Sequence, residues 1–128
     1  MIKILKLSNG EEVVGELVDN HQTKIVLKEP MNIVYRYHPA SPFPHVKLTR
    51  YMLFSSDILY EFSNMDVYNV TQARESFANY YLHVRKMTEQ SGEMLDRELN
   101  EAVQADQVSK EEVYRSMLDQ IQKPDIMN

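Results

Sequence analysis

The sequence has no cysteine and only three glycines. The first absence excludes disulfides, thiolate metal sites and cysteine nucleophiles, and it fits a cytosolic, cytoplasmic protein. The second means that each glycine marks a special backbone position. No apolar run approaches the roughly 18 residues of a membrane span. The opening MIKILKLSNG lacks an apolar segment ending in a small-residue cleavage site, so no signal peptide is expected. Excess positive charge is missing too, with a formal net charge of −5. Residues 1–63 hold seven basic and seven acidic side chains, and residues 64–128 hold seven and twelve. Phosphate contacts need Lys and Arg, so the neutral half is the one compatible with nucleic acid.

What is present changes period half-way. Residues 1–63 read as five short strands: IKILKLS, EVVGELV, TKIVLKEPMNIVYRYH, HVKLTRYMLF and ILYEFS. Asp19-Asn20 marks a turn. HPASPFPH, with three prolines, is an irregular loop. Pro30 falls inside the third strand and marks a bulge, an edge or a bend.

Residues 64–128 read as helix. Val70, Ala73, Phe77, Tyr80, Tyr81, Val84 and Met87 recur at spacings of three and four. The helix is expected to start near Asn69–Thr71 and to break at Ser91-Gly92. Ser109 and Glu112 read as a capping box opening a last helix that Pro124 ends. The expected fold is mainly β with α. A small, strongly bent five-stranded barrel (1–63) is followed by a C-terminal helical extension (64–128).

The stretch LSNGEEVVGEL carries two of the three glycines. Gly10 suits the turn between strands one and two. Gly15 lies inside a strand, where glycine marks a sharp bend or a close backbone approach. A strand curling to close a very small barrel has that need. The pattern Leu7, Gly10, Gly15, Leu17, followed by Leu27, resembles the first motif of the Sm-like (Sm/LSm) family, a set of SH3-like barrels. The resemblance spans residues 1–63. The whole chain looks like the Sm-like proteins predicted in marine phages, which begin at strand one and carry C-terminal helices. Departures are specific. Asn20 and Lys24 stand where the family has a base-holding Asp and Asn. Leu53-Phe54-Ser55 stands where the family has Ile-Arg-Gly.

The resemblance implies a homo-oligomeric ring of roughly five to seven subunits, joined through strands four and five. It further implies single-stranded RNA, or DNA, held where the loop after strand two meets the loop between strands four and five. On this chain that places Asn20, His21, Lys24, Phe54 and Ser55 at a nucleic-acid site, with a role in RNA or DNA processing in an infected cell's cytoplasm. Phe54 and His21 have faces for stacking a base. Asn20 and Ser55 have groups for a base edge, and Lys24 has a charge for phosphate.

Each residue also has a plainer reading. Phe54 suits a core or an interface, His21 and Asn20 suit an exposed turn, and Lys24 suits a solvated strand. The four histidines lack metal spacing, and no nucleophile–base pair or phosphate loop is visible. No enzyme, cofactor or metal is therefore expected. The alternative function is a structural or adaptor ring whose acidic helices bind protein partners, with no nucleic-acid role.

Overall fold

The computed structural model describes residues 1–122. Six strands precede one helix: β1 (Ile2–Leu7), β2 (Glu12–Asn20), β3 (Lys24–Arg36), β4 (His45–Arg50), β5 (Leu59–Ser63), β6 (Val67–Gln72) and α1 (Glu75–Gln122). The strands form one antiparallel open sheet in the order β4-β3-β2-β1-β6, with β5 paired to β3. The expectation of five strands is corrected to six. Residues 51–54 leave β4 as a turn.

β6 is the added strand, and it lies where helical spacing places the start of a helix. Val67, Tyr68, Val70 and Thr71 are β-branched or aromatic, which suits a pleated strand. Val70 and Ala73 also sit at helical spacing from Phe77, so the period alone runs past the true boundary. Pairing with β1 decides the matter, with Ile4 opposite Thr71 and Leu5 opposite Val70. The helix starts at Glu75 instead. It also runs unbroken through Ser91-Gly92 and through Ser109–Glu112. The expected break is absent, and the Ser109 box is interior sequence rather than a cap. Pro124 lies outside the described residues.

β3 is the strand on which the sheet turns. Its first half, Lys24–Lys28, pairs with β5, and its second half, Met31–Arg36, pairs with β4. Between them Glu29 has a φ of 48°, left-handed backbone that a non-glycine residue rarely adopts. Pro30 follows and donates no ladder bond. The alternation of faces slips by one residue at this bend. Ile25 and Leu27 lie in one apolar cluster, while Met31 and Ile33 lie in the other.

Gly15 sits against the bend. A Cβ there would lie 3.2 Å from both Leu27 Cβ and Leu27 Cδ1, and 3.3 Å from Pro30 Cα. The β2–β3 register shifts between Val14 and Glu16, so Gly15 is the residue that lets β2 follow β3 around the turn. Gly10, at φ 93°, makes the β1–β2 turn.

The two apolar clusters lie on opposite faces of the sheet. One gathers Leu5, Leu7, Val13, Ile25, Leu27 and Phe62, with Tyr51 edge-on to Tyr60 at 5.9 Å. The other gathers Val14, Met31, Ile33 and Leu48 under Tyr81, with Phe77 and Val84 beside it. Phe77, Tyr81 and Val84 recur at helical spacing, so the start of α1 lays one face on the sheet. Each fully buried Leu or Met contributes about 1.5–3 kcal/mol. Tyr81 is fully buried, and its hydroxyl donates to the carbonyls of Lys28 (3.2 Å) and Glu29 (2.7 Å) at the bend. Burial pushes its phenol up to about 12.

Two compact units divide the chain, Met1–Met87 and a second beginning at Thr88. In the second unit, every described side chain from Glu89 to Asp119 is exposed except Gly92, Leu95 and Leu118.

Candidate nucleic-acid interface

Two turns meet at one corner of the sheet. The β2–β3 turn carries His21, Gln22 and Thr23, and the β5–β6 turn carries Asn64, Met65 and Asp66. The β3–β5 register, Lys24 opposite Ser63, brings them together. Asn64 then ties them. Its backbone N–H donates to Thr23 O at 3.0 Å, and its side-chain amide donates to His21 O at 3.2 Å and also to Gln22 O. The β5–β6 turn is closed by Asp66 N donating to Ser63 O, and Asp66 O accepts from Ser8 N at 2.8 Å. The backbone of this corner is therefore largely satisfied internally. What it offers outward is side chains: Asn20, His21 and Met65, the last 90% exposed.

Lys24 and the His21 ring each sit against a carboxylate. Lys24 Nζ lies 3.0 Å from Glu61 Oε1, and His21 Nε2 lies 2.6 Å from Asp19 Oδ2. Both pairs are exposed, so each is worth little and opens readily to a competing anion.

The five expected site residues do not converge within one chain. Asn20, His21 and Lys24 sit at this corner. Phe54 and Ser55 lie in the segment joining β4 to β5, which is fastened at the bend by Tyr51 N to Pro30 O at 3.0 Å and Glu29 N to Ile58 O at 2.7 Å. From Lys24 to Lys28 the strand alone covers about 13 Å. The reason is the extra strand. The loop that meets the β2–β3 turn precedes β6, the true last strand, and consists of residues 64–66. Sequence reasoning missed Asn64 and Met65, although Ser63-Asn64-Met65-Asp66 carries ordinary turn residues.

Ser55 is occupied by its own turn. Its hydroxyl accepts from Asp57 N at 3.1 Å and its carbonyl accepts from Arg50 at 3.4 Å. Phe54 is 72% exposed, so it is neither core nor covered within this chain. It heads an apolar patch with Met52, Leu53, Ile58 and Leu59, each about half exposed.

A second concavity, about 590 Å³, lies where the β1–β2 turn faces the end of β3. Lys6, Glu12, Asn32, Tyr35, Tyr37 and Thr49 line it. Tyr35 donates to Glu12, and Lys6 pairs with the other oxygen of that carboxylate at 3.3 Å. Burial and the Glu12 carboxylate together push the Tyr35 phenol up to about 12. The amide oxygen of Asn32 has no hydrogen-bond partner among the described residues.

Among the described residues no group of three or more His, Asp or Glu is placed to hold a metal ion. No described helix is long and apolar enough to cross a membrane. Comparison with protein families finds no matching family model, and comparison with characterised proteins finds no similar sequence.

Proposed function

We propose that this chain is a non-catalytic, homo-oligomeric ring protein of the Sm-like kind that binds single-stranded nucleic acid, RNA in the first place. The observation that carries the reading is the pair of free strand edges at the two ends of one sheet. Among the described residues, β4 and β5 pair only with β3, and β6 pairs only with β1. Open edges are templates for another chain. The two edges differ, so copies join head to tail, and such a contact closes into a ring when the rotation per step allows it. The apolar patch beside β4 and β5, including Leu53, Phe54 and Ile58, and Tyr68 on β6, 82% exposed, give that contact surface to bury.

Within each copy the corner supplies the Asn20 amide for a base edge, the His21 imidazole for stacking and Lys24 as one cation for phosphate, with Asn64 holding the two turns together. Assembly also brings Phe54 of one copy towards a neighbour, which a single chain cannot do. A second reading is favoured by the Lys24–Glu61 and His21–Asp19 pairs, which leave the corner without net positive charge: an adaptor ring that binds protein.

The experiment is a fluorescence-anisotropy titration of labelled oligo-U, oligo-A and single-stranded DNA at two salt concentrations. Saturable binding that weakens with salt and weakens further in Lys24→Ala supports the nucleic-acid reading. Absence of binding at tens of micromolar in low salt leaves the adaptor. Light scattering at micromolar concentration tests the ring itself, and a monodisperse species near the chain mass of 15.1 kDa refutes it.

A further inference from the structure

The second unit carries an apolar stripe that nothing within the described chain covers. Leu99 is 44% exposed, Val103 56%, Val113 57%, Tyr114 63% and Met117 56%. Helices in proteins owe most of their stability to packing of such a face rather than to propensity. Residues 88–122 hold nine acidic and three basic side chains, so net charge alone opposes self-association. The placement of those charges around the helix weakens the objection, because five of the nine acidic residues point away from the stripe.

The stripe is close to palindromic about Val108. Leu99 and Met117 lie nine residues on either side of it. Ala102 and Tyr114 lie six residues away, Val103 and Val113 five, and Asp106 and Lys110 two. At 3.6 residues per turn, Leu99 and Met117 project in the same direction, five turns apart. Relative to that line, Val103 and Val113 fall about 40° to either side, Asp106 and Lys110 about 20°, and Ala102 and Tyr114 about 60°. Val108 itself points away. Most of the acidic residues do too: Glu93, Glu101, Glu111, Glu112 and Asp119 lie more than about 100° from the stripe. Asn100, Gln107, Ser109 and Ser116, all uncharged, flank it, together with Glu98 at about 100° and, just before the stripe, Asp96 at about 60°.

We infer that this stripe is a docking surface for the same helix of a second copy, running antiparallel with its two-fold axis at the level of Val108. In that register Leu99 meets the partner's Met117 and Val103 meets the partner's Val113. Asp106 faces the partner's Lys110, and Lys110 faces the partner's Asp106. The two already form an exposed i,i+4 pair at 3.2 Å, so two copies share a four-charge layer of zero net charge. A single polar layer inside an apolar seam fixes register and orientation. A parallel pairing instead sets Asp106 on Asp106 and Lys110 on Lys110. The contact is isologous and uses none of the sheet edges, so it stands or falls apart from the ring.

The absence of cysteine makes the test clean. Leu99→Cys and Met117→Cys are made in the full-length chain, given different tags, and either expressed alone or co-expressed, then mildly oxidised. The antiparallel register gives a disulfide only in the co-expressed sample, between the two differently tagged chains. In each single variant the like cysteines stand about 27 Å apart along the axis and stay reduced. Cross-linking of a single variant to itself means parallel pairing and overturns the proposal. Absence of any cross-link, with helicity by circular dichroism unchanged, also overturns it and turns attention to another protein as the occupant. Charge exchange gives an independent readout by sedimentation. Lys110→Asp weakens the association by about tenfold, and adding Asp106→Lys restores it. Association that is indifferent to both substitutions refutes the register.

Discussion

Gly15 shows how a single side chain, here one hydrogen, sets the path of a strand. Any Cβ at this position meets Leu27 and the backbone of Pro30 at distances tighter than ordinary contact. Leu27 can shift a little, whereas the Pro30 backbone is held by its bond from Tyr51. Gly15→Ala is therefore expected to destabilise by about 1–3 kcal/mol, as an overpacked site. Gly15→Val, branched and stiffer at χ1, is expected to prevent folding. Urea unfolding of the alanine variant checks the first, and a stable, folded valine variant would refute the close approach at the bend. Tyr81 is the matching residue on the helix. Tyr81→Phe keeps the ring but leaves the Lys28 and Glu29 carbonyls without their donor, a loss of about 1–3 kcal/mol measured in the same way. Its pH signature is alkaline. A phenol held neutral up to about 12 contributes stability that is whole below pH 10 and fades as pH rises through that higher value. Tyrosinate absorbance should show two late-titrating groups in the wild type, Tyr35 and Tyr81, and only one in Tyr81→Phe.

At the scale of elements, the bend in β3 and the first turns of α1 depend on each other. Glu29 stands in left-handed backbone, and Arg85 of α1 holds it by an ion pair between Nε and the carboxylate. Arg85 also donates to Glu16 of β2 at 3.0 Å. That hydrogen bond keeps the Glu16 carboxyl below the usual range, against a smaller opposing effect of burial. Burial works against the charge of Arg85 as well, but Glu16 and Glu29 raise its pKa on balance. A lowered carboxylate pKa stabilises the fold above about pH 4.5 and loses that contribution as acid protonates the native state. Glu16→Gln should accordingly flatten the fall of the urea midpoint between neutral pH and pH 3. Glu16 is partly exposed, so the effect is modest. An unchanged acid slope would show that this ion pair does not couple to folding. β6 shows how a boundary is set: its residues satisfy both periods, and the partner strand chooses.

At the scale of the molecule, two surfaces lack a partner among the described residues: the sheet edges at β4, β5 and β6, and the apolar stripe of the helical unit. On the proposed readings further copies fill both, through different surfaces. Leu53→Asp and Phe54→Asp place charge in the patch beside the sheet edges. They should lower the assembled mass in light scattering without changing the thermal unfolding of the Met1–Met87 unit. Unchanged assembly in both would move the contact elsewhere.

Strand-forming character over residues 1–63, helical spacing in the second half, and the meaning of Gly10, Gly15 and Pro30 were legible in the sequence, whereas the helix's start at Glu75 and its unbroken run through Ser91-Gly92 were not. Each legible feature is local: alternation, helical spacing, a turn glycine, a missing N–H. The β2–β3 turn is announced slightly early: Asp19-Asn20, which reads as the turn, closes β2 against Val26 and Ile25, and the turn itself is His21–Thr23. Tertiary pairing alone decided the rest. It made Val67–Gln72 a strand by laying it on β1, against a helical period that fitted as well. It gave β3 two partners on one side, β4 and β5, by bending β3 at Glu29. It thereby put Asn64 beside His21 and carried Phe54 and Ser55 to the other end of the ribbon. No local pattern encodes which turn meets which, because that depends on strand order and register. Those are fixed by burying Leu5, Leu27 and Met31 on the proper faces of a sheet that turns over once.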